Sequence, residues 1–171
     1  MSTRSLIAKE MRDGRYLTIY CHHEGCIQHN GAILHKFYNT EAGVDALLAL
    51  GDISQLGKNI DYDHRPVFIE GTEFPPDTTN ATVAYGRDRD EENTEARKYT
   101  MEELVTYPCV SYIYIYTRQK EWTVLMPKAE GFEKPVSLKG EIDKEDRDYR
   151  KRLKWFNEAV KKCERRKEAQ K

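Results

Sequence analysis

The chain has no apolar run near the roughly 18 residues of a membrane-spanning helix. Its start, Met1-Ser2-Thr3-Arg4-Ser5, lacks the apolar stretch of a secretory signal. Cysteine is scarce: four in 171 residues, irregularly spaced, do not make a disulfide framework. Net charge is nearly absent too. Lys plus Arg is 28 and Asp plus Glu is 29, a formal charge of −1. That excludes a generically basic nucleic-acid coat and a polyacidic tail, while leaving room for local patches of either sign. No internal repeat or low-complexity tract is visible, and the length suits one domain rather than two. These absences predict a cytoplasmic globular protein.

What is present is aromatic. Hydrophobic residues make up only 39% against 33% charged, but 11 Tyr and 5 Phe supply large buried areas per side chain. Arg12-Asp13-Gly14 between two β-prone runs, 4–11 and 15–21, predicts a hairpin, because Gly accepts positive φ without cost. Leu17 and Ile19 face one way there, Tyr16, Thr18 and Tyr20 the other. A polar irregular loop, Cys21 to Gly31, follows. A helix is expected over 31–38 with Ile33, Leu34, Phe37 and Tyr38 inward, then another after Thr40 with Val44, Leu47, Leu48 and Leu50 inward and Gly51 at its end. The stretch 52–59 reads as a connector with Ile53 and Leu56 on the core. Val67-Phe68-Ile69 and 81–85 read as strands, Pro75-Pro76-Asp77 as a turn or extended linker. Thr100 is an N-cap for a short helix from Met101. The alternating 111–117 run predicts a central strand with a tyrosine face, paired with 121–126 across Arg118-Gln119-Lys120.

From Glu141 the pattern is helical to the end. Tyr149, Leu153, Phe156, Val160 and Cys163 step by four, three, four and three. Residues 144–171 hold 12 basic and 6 acidic side chains, so this segment is +6 and the remainder −7. The expected fold is α+β: a mostly antiparallel sheet, two short helices after the first hairpin, and a long C-terminal helix. A domain over 1–140 would carry an amphipathic basic helix over 141–171, packed on that domain or on a sister subunit rather than tracking nucleic acid.

Four constellations offer chemistry. Cys21, Cys26 and His29, with His22 and His23 between, have ligand types that suit zinc, but no second ligand pair accompanies them. A polar loop with semi-buried thiols is the favoured reading. Cys21 or Cys26 beside His22 or His29 would suffice for an activated thiolate, but neighbours in a strand point to opposite faces, so Cys21 and His22 are poor partners. Asp61 and Asp63 sit in a polar stretch and read as solvated. Tyr85-Gly86-Arg87-Asp88-Arg89 leaves two readings open. Either Gly86 admits a ligand to the backbone and the alternate arginines bind phosphate or carboxylate, or the arginines pair with Asp88, Asp90 or Glu91 on a solvated turn.

The segments Thr3 to Ala8, Asp13-Gly14, Ile19-Tyr20-Cys21-His22, Glu24-Gly25, Gly31, Leu34 and Tyr38-Asn39 together resemble a family of small accessory proteins that recurs in bacteriophages and prophages. Leu47 to Leu50, Gly51-Asp52-Ile53-Ser54, Ala84 to Arg89 and the tyrosine-rich strand extend the resemblance over about residues 3–125. His23 and Cys26 stand where that pattern has aromatics, so the thiols are not part of it, and the zinc reading loses ground. Such proteins commonly counteract host immunity. The resemblance therefore implies a non-enzymatic counter-defence protein of the bacterial cytoplasm that sequesters an anionic, nucleotide-type immune signal.

The pocket expected for that ligand joins Tyr20, His22, Gly25, Tyr85, Gly86, Arg87 and Arg89, with Tyr114 as a stacking wall alongside Tyr112 or Tyr116. No cofactor, metal or membrane partner is expected, and a homo-oligomer is. The alternative is a protein–protein inhibitor of a host nucleoprotein effector, anti-CRISPR-like, using an acidic face of Asp88, Asp90, Glu91, Glu92 and Glu95. A zinc or thiol hydrolase at Cys21 to His29 is the weaker alternative.

Overall fold

The computed structural model describes residues 3–70 and 72–168. Strands β1 (Ser5–Glu10) and β2 (Tyr16–Cys21) form the expected antiparallel hairpin. Gly14 at its turn takes φ +79°, the left-handed conformation that Asp-Gly turns require. The second half of the expected loop is a π-helical turn, Ile27–Gly31, continuous with α1 (Ala32–Phe37). Ile33, Leu34 and Tyr38 are buried as the stripe predicts, but Phe37 is 41% exposed. Helix α2 (Glu41–Leu48) starts where Thr40 accepts the Gly43 N–H, and it buries Val44, Leu47 and Leu48. Gly51 then takes φ +73° against the Thr94 backbone.

The expected connector 52–59 contains a sheet strand, β3 (Ile53–Gln55), parallel to β2. A small hairpin of β4 (Val67–Ile69) and β5 (Thr72–Phe74) stands apart from the main sheet. The strand expected over 81–85 shrinks to β6 (Val83–Ala84). Tyr85 instead opens a helical turn, α3 (Tyr85–Arg89), because Asp88 reaches back to accept the Ala84 N–H at 2.7 Å. After β7 (Arg97–Tyr99), helix α4 (Met101–Val105) carries a full capping box between Thr100 and Glu103. β8 (Tyr112–Tyr116), β9 (Trp122–Leu125) and the short β10 (Val136–Ser137) lead into α5 (Leu138–Glu168), which begins three residues before the expected start.

The fold is thus α+β. Its main sheet runs β10-β9-β8-β1-β2-β3-β6, with β7 also on β2. Among the described strand pairs of this sheet, β1–β8 and β2–β3 are parallel and the rest antiparallel. One face carries Ile7, Ile19, Cys21, Tyr114, Tyr116, Trp122 and Val124 under the helices. The other carries Leu6, Ala8, Ile113, Ile115 and Leu125 under Leu104, bordered by half-buried tyrosines 16, 20, 99 and 107. Buried aromatics pin the helical layer through backbone carbonyls: Tyr114 donates to Gly25 O at 2.8 Å, and Trp122 to Tyr38 O at 2.7 Å. Such bonds satisfy the Tyr114 hydroxyl and the Trp122 indole N–H inside an aromatic core.

Helix α5 docks by its first turns, burying Leu138 and half-burying Ile142, with Gln28 donating to Glu145. Farther along, Tyr149, Leu153, Phe156 and Val160 are exposed. Cys163, the last position of the expected seam, lies outside the residues whose side chains are described. No helix among the described residues is long and apolar enough to cross a membrane.

Candidate functional site

The outer edge of β2 is shared. β7 pairs with its first half, at Tyr16 to Thr18, and β3 with its end, at Cys21. Between them the backbone N–H of Tyr20 has no strand to bond, and it donates instead to the Asp52 carboxylate at 2.8 Å. That gap fixes Tyr20 on the tyrosine-bordered face. Past the strand end, His22 and His23 continue the parallel pairing by donating to the Ile53 and Ser54 carbonyls.

Side chains gather there. The Tyr20 hydroxyl meets His22 Nδ1 at 3.0 Å, and the His22 ring contacts that of His23 at 4.5 Å between centroids. Tyr107 stacks on Tyr20 at 6.5 Å. From α3, Arg89 donates to Ser54 Oγ at 3.0 Å and lies over the Tyr85 ring at 5.1 Å. The second cation is Arg4, immediately before β1. Its Nε is buried and has no hydrogen-bond partner.

Electrostatics follow from that geometry. Partial burial holds the His22 imidazole below its ordinary range, and His23, Arg4 and Arg89 push it the same way. Burial raises the Tyr20 phenol, while Arg4 opposes the rise. The patch therefore sets the His22 imidazole within the positive field of Arg4 and Arg89, with aromatic rings alongside. An anion placed there would offset the positive field that Arg4 and Arg89 set at His22. Next to it, His23, Glu24, His29, Gln55, Thr78 and Thr79 line an open cleft of about 380 Å³.

Of the residues expected from sequence, the structure brings together Tyr20, His22, Tyr85 and Arg89. The others have structural work. Gly25 lies against β1: a Cβ there would sit 2.8 Å from the Arg4 carbonyl carbon and from Ser5 Cβ. Gly86 lies against the Thr94 hydroxyl, 2.7 Å from where a Cβ would sit. Arg87 is a brace, donating to Thr82 O at 2.6 Å, to Ile60 O at 2.8 Å and to Asp88. For Arg87 the pairing with Asp88 prevails because the two are held on one helical turn, with the Asp88 side chain only 3% exposed. That burial also removes Asp88 from the expected acidic face. Tyr114 is fully buried and offers no stacking surface, and Tyr116 is 2% exposed.

The cysteine loop comes apart as a site. Burial pushes the Cys21 thiol up to about 11, and it donates to His23 O while Asn30 donates to it. His29 instead pairs with Glu24 at 2.8 Å. Among the described residues no three His, Cys, Asp or Glu side chains converge as metal ligands.

Sequence reasoning missed Arg4, His23, Ser54 and Tyr107. Arg4 and Ser54 lie inside the segments of the phage resemblance, but nothing local marked them; they reach the site through β1 and β3, a connection only sheet topology reveals. A larger groove of about 530 Å³ at the opposite end of the sheet is lined by Lys9, Glu10, Arg12, Asp13, Glu41 and Arg118 among others. Its Lys9 is held by Asp45 at 2.6 Å and Glu41 at 3.2 Å, so its charges largely cancel. The chain matches no protein-family model, no curated protein and no solved structure.

Proposed function

We propose that this protein binds an anionic, nucleotide-type ligand on the Arg4–Tyr20–His22–Arg89 patch and retains it without turning it over. The observation that carries this reading is the gathering of Arg4, level with His22 in the hairpin register, and Arg89, held on Ser54, around the end of β2, with the Arg4 Nε buried and without a hydrogen-bond partner. A phosphate supplies the negative charge such a patch lacks, and the half-buried rings of Tyr85 and Tyr107 border it. The Cys21 thiol beside the site is a protonated core group, which favours binding over nucleophilic chemistry. The resemblance to phage accessory proteins supplies the context: sequestration of an immune signal in the bacterial cytoplasm.

Thermal-shift screening against cyclic mono- and dinucleotides and ADP-ribose tests it. At least one should raise the melting temperature, and Arg4→Gln and Arg89→Gln should each weaken that ligand about tenfold or more, as expected for a charge-assisted contact of about 1.5–3 kcal/mol. Blank results across the panel, or a shift unchanged in both variants, would count against the proposal. Recovery of a single large basic partner from host lysate, lost on charge reversal at Glu91 and Glu92, would favour the inhibitor alternative instead.

A further inference from the structure

The apolar stripe that docks α5 on its own body does not stop where the body ends. Tyr149 follows Leu138 by eleven residues, and at about 100° per residue returns within roughly 20° of the same azimuth. Val160 stands in the same relation to Ile142, about five full turns on. Yet Tyr149 is 59%, Leu153 45%, Phe156 58% and Val160 39% exposed. One face of one helix is thus an interface at its start and bare beyond it.

We propose that this face pairs with α5 of a second copy, antiparallel, about a twofold axis between Lys154 and Trp155. Steps of four, three and four place Tyr149 and Phe156 at one heptad position and Leu153 and Val160 at the other, and antiparallel coiled helices set one kind against the other. Around that axis Tyr149 meets the partner's Val160, and Leu153 meets the partner's Phe156. The stripe is self-complementary.

Charge selects the same register. Residues 143–148 carry four acidic and two basic side chains, net −2; residues 150–154 carry four basic ones, net +4. Residues 155–159 hold only Glu158, net −1, and residues 161–166 hold four basic and one acidic, net +3. Antiparallel pairing about this axis sets −2 against +3 and +4 against −1. A parallel pair aligns +4 with +4 and +3 with +3. It also brings the two bodies to the same end, on the face where each already covers its own Leu138 and Ile142. The antiparallel pair keeps the two bodies at opposite ends, and each basic helix end approaches the −7 remainder of the other copy. The pairing is independent of the ligand patch.

Light scattering and spin-label distances test this on the full chain. With Cys26, Cys109 and Cys163 replaced by Ser and a label at Lys144→Cys, the protein should be dimeric at high micromolar concentration. The two labels should sit about 32 Å apart along the helices at 1.5 Å per residue. Phe156→Glu and Leu153→Glu, both in exposed positions, should give folded monomers with an unchanged helical circular-dichroism signal. A monomeric full-length chain overturns the inference. So does a label separation near the interaxial spacing of about 10 Å, which marks a parallel pair, or a dimer that survives both substitutions.

Discussion

Gly25 shows how a residue can matter to a site without lining it. Its missing side chain lets the loop lie on the Arg4–Ser5 backbone, while its carbonyl accepts the Tyr114 hydroxyl. Gly25→Ala should cost about 2 kcal/mol, an overpacking penalty, and should weaken ligand binding because Arg4 is the neighbour that must yield. Urea unfolding and ligand titration of the same variant measure both. His22 gives a pH dependence. Its folded-state proton affinity is depressed, chiefly by burial. As pH falls below the ordinary histidine value of about 6.5, the unfolded chain therefore takes up a proton that the folded chain refuses, and stability is lost through that window. Denaturation midpoints should drop between pH 7.5 and 5.5, and less so in His22→Gln; equal slopes would contradict the account.

At the scale of elements, the caps and turns act locally. The Thr100–Glu103 box holds α4, which lays Leu104 over the second sheet face. Thr100→Ala should cost about 1 kcal/mol in chemical unfolding. The Thr100 cap, though not its reciprocal bond with Glu103, the Asp13-Gly14 hairpin and the alternation of 111–117 were legible in the sequence because each is decided by neighbours a few residues away. β3 was not. Ile53-Ser54-Gln55 is too short to show a period, and what makes it a strand is the free edge of β2 opposite Cys21. The same limit governed α3. Tyr85 continues a β-like run, and only the reach of Asp88 to the Ala84 N–H converts it to a turn. That turn separates the arginines the sequence had left equivalent, locking Arg87 inward and sending Arg89 to Ser54.

The whole molecule explains why the site was half readable. Tyr20 and His22, the latter one residue past the end of β2, follow the pleat onto one side and meet at 3.0 Å, so their partnership follows from spacing. Arg4 and Arg89 lie 85 positions apart and meet that face only because β1 and β3 both flank β2 and α3 follows β6. Tyr114 misled for the complementary reason: a tyrosine face suggested a pocket wall, but helices cover it and its hydroxyl is consumed within the core. The central claim is that Arg4, His22 and Arg89 form one anion site. Its most direct test is an NMR pH titration of the His22 imidazole with and without millimolar pyrophosphate. The account predicts a value below the ordinary histidine range in the unliganded protein, a rise on adding pyrophosphate, and loss of that rise in an Arg4→Gln/Arg89→Gln double variant. A titration indifferent to pyrophosphate, or a rise undiminished in the double variant, would contradict it.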